Sequence, residues 1–222
     1  MDIKDQIQSI KTQLRLSMNG VVSQSMHEKG MNYKVNFGVE IPRLKSIASQ
    51  YDQNHGLAQT LWKENIRESK ILAGMLQPID SFLPEIADVW VEDIQYLEIA
   101  ELTCMNLFQY LPYAPAKSFE WIADEREYIQ TCGFLLVARL LSKDAEMSER
   151  AESEFFDQAF SAIASQQYNP RNAAILALKK YGIQKKENAF KLNELLSKNK
   201  TLKSLVEKAL YDEIKLEIEY LL

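Results

Sequence analysis

The side chains in this sequence that could do chemistry are carboxylates and cations, because softer nucleophiles and ligands are few. Cys104 and Cys132 lack metal-ligand spacing and lie in apolar helical runs, so they read as reduced core thiols. With only His27 and His55 as imidazoles, a zinc or iron site has little to build from, and no metal or organic cofactor is expected. The carboxylate that stands out is Glu101. In DIQYLEIAELTCMNLF, residues 93–108, Ile94, Leu97, Met105 and Phe108 fall on one helical stripe. Glu101 sits in the middle of that stripe and Glu98 at its margin. Three readings stand for Glu101: a catalytic acid, a rim charge at an interface, or a structural glutamate in a buried polar network. Burial would raise its pKa and favour the neutral acid, which works against a purely electrostatic role unless a cation or backbone donors are close.

The cations fall in two stretches. IRESKILAG places Arg67 and Lys70 one turn apart, and NPRNAAILALKKYG places Asn172, Leu176, Lys179 and Lys180 on one face. Arg171 lies beside them near a helix N-terminus, a combination suited to phosphate. The competing reading is a solvated basic face. Charge is polarised along the chain: residues 76–160 hold 5 Lys/Arg against 17 Asp/Glu, whereas residues 170–209 hold 10 against 3. One surface suited to an anionic partner is therefore expected despite a net charge of −5.

The elements that must position these groups are helices. The chain has 222 residues, 46% hydrophobic and 26% charged, an ordinary globular composition and long enough to bury a core. Period 3.6 dominates, no stretch alternates as a strand does, and only 7 glycines and 6 prolines interrupt the pattern. The pattern predicts helices at 2–17, 20–29, 42–52, 57–64, 66–76, 83–91, 94–110, 115–123, 126–142, 149–166, 170–182, 186–197 and 201–221. Pro42 and Pro170 fit first turns, and Asn169 and Ser118 fit capping positions. No apolar run is long enough to span a membrane, and MDIKDQIQSI has no signal-peptide core, so a cytoplasmic protein without a membrane partner is expected.

The helices repeat. LWKENIRESKILAGML, VWVEDIQYLEIAELTCMNLF and EWIADEREYIQTCGFLLVARLL each carry a tryptophan, a short charged turn and a long apolar helix. Trp62, Trp90 and Trp121 stand 28 and 31 residues apart, and AFSAIASQQYNPRNAAILALKKYG continues the alternation without one. Such pairs bury their faces by stacking, which predicts one α-α solenoid over 1–222. The tryptophans then read as packing residues rather than a cofactor box. The second helix of each pair is expected to line the concave surface, and that is where the cations fall.

In that order, NFGVEIPRLKSIASQY, LAQTLWKENIRESKILAGML and VWVEDIQYLEIAELTCMNLFQYLPYA resemble the AlkD-like DNA alkylation-repair proteins, over residues 30–185. The resemblance implies an all-α superhelix of HEAT-like repeats with a cleft for the DNA backbone. It also implies removal of cationic alkylpurines such as 3-methyladenine and 7-methylguanine. A charged base leaves readily, so a carboxylate that stabilises the developing oxocarbenium charge, with aromatic groups and an arginine on the backbone, would suffice. The family's aromatic-then-acid pair falls on Leu97 and Glu101, its arginine on Thr131, and its later tryptophan on Leu176. Only the acid survives in type. Three functions follow as expectations: an alkylpurine glycosylase with Glu101 as its acid, a non-catalytic binder of branched or distorted DNA, and a protein-interaction scaffold. DNA contact would run through Arg67, Lys70, Arg171, Asn172, Lys179 and Lys180.

Overall fold

The structure, a computed structural model, describes residues 2–198 and 205–222. Thirteen α-helices occur among them: α1 Ile3–Leu16, α2 Gly20–Glu28, α3 Ile41–Ala48, α4 His55–Trp62, α5 Arg67–Leu76, α6 Pro84–Glu92, α7 Leu97–Asn106, α8 Ala114–Ile122, α9 Glu127–Leu141, α10 Glu149–Ala164, α11 Tyr168–Gln184, α12 Lys186–Lys198 and α13 Leu205–Ile218. Val35 and Ile66 form an isolated parallel bridge, and no strand is present among the described residues. No helix among them is long and apolar enough to cross a membrane. The expected first residues of the last helix, 201–204, lie outside the described residues.

Local signals account for several boundaries. Asn19, Asn54 and Ser148 cap α2, α4 and α10 by accepting the backbone N–H groups of Val22, Leu57 and Ala151. The two caps expected at Ser118 and Asn169 are not caps. Ser118 lies inside α8 and donates to the Pro115 carbonyl at 2.8 Å, and α11 begins one residue before Asn169, with Gln167 at its N-cap. The long helix expected over 94–110 also breaks, into α7 and a 3₁₀ turn at Phe108–Tyr110.

The described residues group into two compact units, Met1–Trp90 with Met105–Leu111, and Val91–Cys104 with Pro112–Leu222. In the first, α5 packs on α3 and α4, and α1 on α4. Its centre is aromatic. Trp62 and Trp90 stack with ring centroids 4.0 Å apart and planes 5° from parallel, and Phe82 meets Trp90 edge-on at 4.9 Å. Trp90 Nε1 donates to Gln59 Oε1 at 3.3 Å. Equivalent positions at the ends of α4 and α6 thus pack on one another, which is the packing role that the repeat predicts.

In the second unit α9 and α11 pack together at the centre. The α8 helix covers α9, while α10, α12 and α13 cover α11. Gly133 sets the α8–α9 approach, since a Cβ there would lie 2.5 Å from the Ile122 backbone nitrogen. Phe156 meets Tyr181 edge-on at 5.0 Å. The Tyr181 hydroxyl donates to Glu152, which also pairs with Lys191, so one carboxylate ties α10, α11 and α12 together. Desolvation, then the hydrogen bond and charge of Glu152, raise the Tyr181 pKa and keep the phenol protonated.

Candidate nucleic-acid interface

The positions matched to the alkylation-repair resemblance lie on α7, α9 and α11 of the second unit. On α7 the buried residues are Ile99, Ala100, Thr103 and Cys104, and Glu101 is exposed. The expected stripe is therefore out of phase, and the reading of Glu101 as a carboxylate set in an apolar stripe is corrected. Apolar residues occur all round this helix, so its sequence gives no dominant face; contacts such as Cys104 Sγ to the Cys132 carbonyl set the rotation. Leu97 begins the helix and is half-buried.

Glu101 is nonetheless perturbed. Partial desolvation raises its pKa above the ordinary 4.5, the charge of Arg139 pulls it back, and Glu98 pushes it up again. Arg139, near the end of α9, is a charge at Glu101 that the sequence spacing does not bring out. Its only sequence signal is a single cation in the run LLVARLL. Its Nε is buried without a hydrogen-bond partner among the described residues.

Thr131, at the position matched to the family arginine, is buried in α9, and its hydroxyl donates to the Glu127 carbonyl at 2.7 Å. It offers the surface neither charge nor a free donor. Glu127 accepts from Asn169 Nδ2 at 2.8 Å, bracing α9 against α11. Tyr128 is half-buried, and desolvation, Glu127 and Tyr96 raise its pKa in that order.

The outward face of α11 carries Tyr168, Asn172 and Leu176, all exposed, with Lys179 and Lys180 half-buried along the same helix. The Arg171 guanidinium lies 5.8 Å from the Tyr168 ring centroid, and its Nε is buried without a hydrogen-bond partner among the described residues. Lys179 is ion-paired with Glu213 of α13. The predicted cluster Arg171, Asn172, Lys179 and Lys180 is thus one helix surface, with one of its cations already neutralised.

Two predicted contacts lie in the other unit. Arg67 does not serve DNA: it is 1% exposed, donates to the Val39 carbonyl at 3.0 Å and pairs with buried Glu68. A guanidinium held this way cannot reach a phosphate, so this expectation is corrected. Lys70 lies over the Trp62 ring, 4.4 Å from its centroid, where the stacked indoles offer it a π face.

Chemically, α7, α9 and α11 together hold a carboxylate with raised proton affinity, two arginines whose Nε atoms have no hydrogen-bond partner among the described residues, and the tyrosines Tyr128 and Tyr168. They have the cations to hold phosphates. They lack the aromatic group beside the acid that the resemblance requires, since Leu97 stands there.

No curated protein sequence matches this chain. A solved structure described as "A new family of proteins related to the HEAT-like repeat DNA glycosylases with affinity for branched DNA structures" is similar in fold. Its TM-score is 0.74 at 18% identity, covering 98% of this chain and 83% of the other. That likeness shows an all-α fold of HEAT-like helical repeats. The sequence profile described as "DNA alkylation repair enzyme" matches residues 10–207, and the chain accordingly belongs to the DNA alkylation repair enzyme family.

Proposed function

We propose that this protein binds branched or distorted duplex DNA through backbone contacts and does not excise alkylated purines. The observation that carries the reading is Thr131. The position where the resemblance implies an arginine holds a buried hydroxyl bonded within its own helix. Leu97 and Leu176 add to this, because neither supplies a π face or an indole donor for a distorted backbone. The resemblance implies an aspartate where Glu101 stands, so the carboxylate here is carried one methylene further out. A displacement of about 1 Å can cost on the order of 100-fold in rate. Arg139, Arg171 and Lys180 support backbone binding, which needs cations and no catalytic set. The neighbouring structure's affinity for branched DNA favours that class of ligand.

A second reading has its own observation. Arg139 acts on Glu101 electrostatically, so it can stand in for the cation missing at Thr131 and leave an altered glycosylase. Single-turnover release of 7-methylguanine from alkylated DNA separates the two. Background rates for both wild type and Glu101→Gln are expected. Excision by the wild type that collapses in the glutamine variant would establish the altered glycosylase and make Glu101 catalytic.

A further inference from the structure

The turn between α1 and α2 exposes apolar side chains without an evident structural use. Leu16, Met18 and Val21 are 82%, 63% and 81% exposed, all within six residues. Isolated exposed apolar residues are unremarkable, but three on one short turn mark a contact surface. The turn is braced on both sides. Asn19 N–H donates to the Phe37 carbonyl at 2.8 Å, and Ser23 Oγ donates to the Asn36 carbonyl at 2.9 Å. Gly38 sits so close beneath it that a Cβ would lie 2.2 Å from the Asn19 carbonyl oxygen, and Gly38 has φ +68°. The prong is therefore set before any partner arrives.

Cations frame it. Arg15 adjoins Leu16 and is exposed, and Arg43 Nε donates to Ser17 Oγ at 3.0 Å, placing a second guanidinium at the turn. Residues 10–50 hold 6 Lys/Arg against 2 Asp/Glu in a chain that is acidic overall.

Building on the DNA-binding reading above, we propose that this turn is an apolar wedge that enters the base stack where DNA branches, with Arg15 and Arg43 on the flanking phosphates. Inserting aliphatic side chains into an intact duplex costs the unstacking of a base step; at a branch point that step is already open. The wedge would thus favour branched over continuous DNA without reading sequence. A lipid surface offers the same two chemistries. However, the apolar face of α1, with Ile10 and Leu14, is buried in the core, leaving a short turn where interfacial anchoring needs a helix face. A second copy of this turn would bring arginines against arginines.

The test is fluorescence anisotropy on a three-way junction and on a continuous duplex, using wild type and the Leu16→Gln, Met18→Gln, Val21→Gln variant. The variant should bind the junction about 10-fold more weakly and the duplex within about 2-fold of wild type. A 2-aminopurine at the branch should brighten with wild type and not with the variant. All three side chains are exposed, so the melting curve should not move; Val21→Gln alone, losing about 3-fold on the junction, serves if it does. Undiminished junction preference in the variant would overturn the wedge while leaving the DNA-binding reading intact. No binding to either DNA by wild type would remove both. Wild-type capture by phosphatidylserine vesicles that the variant loses, with junction binding unchanged, would assign the turn to lipid instead.

Discussion

Replacing Arg67 by methionine separates a structural arginine from a DNA contact. The Glu68 carboxylate accepts the Phe37 and Val39 backbone N–H groups at 3.2 Å each and the Arg67 guanidinium at 3.0 Å. Arg67 in turn donates to the Val39 carbonyl. Together they fasten the segment around residues 37–39 to the first turn of α5. Methionine fills much of the volume but leaves a buried carboxylate without its counter-charge, a loss of about 3–5 kcal/mol. At roughly 2–4 °C per kcal/mol for a chain of this size, the melting temperature should fall by about 6–20 °C. An isolated buried pair is often restored by replacing both partners with apolar residues. Here Arg67→Met with Glu68→Leu should not recover, because the Phe37 and Val39 amides then lose their acceptor at about 1–3 kcal/mol each. Circular dichroism melting reads all three proteins, and DNA binding measured well below the transition should be unchanged. An unaltered melting temperature with weakened DNA binding in the single variant would refute the structural assignment.

Three other outcomes follow from the same geometry. Because the folded-state pKa of Glu101 is raised, the folded protein holds its proton more tightly, and this contribution to stability is present at low pH and lost as pH rises through the folded pKa. Glu101→Gln should therefore melt higher than wild type at pH 7, by less than about 1 kcal/mol for so exposed a group, with no advantage at pH 3. A gain that persists at pH 3 would point to a cause other than ionisation. Lys179→Gln with Lys180→Gln should flatten the log–log salt dependence of DNA binding by about 1 rather than 2, since Lys179 already pairs with Glu213. Gly133→Ala should destabilise by about 1–3 kcal/mol despite alanine's better helix propensity, because the Ile122 backbone cannot retreat. A stabilised alanine variant would show that α8 and α9 approach less closely.

The helices and their pairing were legible because most of them expose a polar face and bury an apolar one with period 3.6, and because the tryptophans recur at one place in the pair. Phase failed on α7, where apolar residues surround the helix and only its neighbours decide which side is covered. Arg67 misled for a related reason. A cation beside a charged turn looks the same in sequence whether it meets solvent or a buried glutamate, and the backbone donors that hold Glu68 come from about 30 residues earlier in the chain. The α11 cations were correctly placed on one helix, but the Glu213 partner of Lys179 could not be seen from spacing. Arg139 was missed because a lone arginine in an apolar run looks incidental until its charge is felt at Glu101.

Binding of branched DNA without base excision can be read in one competition titration. A labelled four-way junction bound by the protein is challenged with unlabelled junction, with continuous duplex of the same sequence, and with that duplex carrying 7-methylguanine. The junction should compete far better than either duplex, the two duplexes should compete equally, and no free base should accumulate. Preferential competition by the alkylated duplex, with 7-methylguanine released, would contradict it.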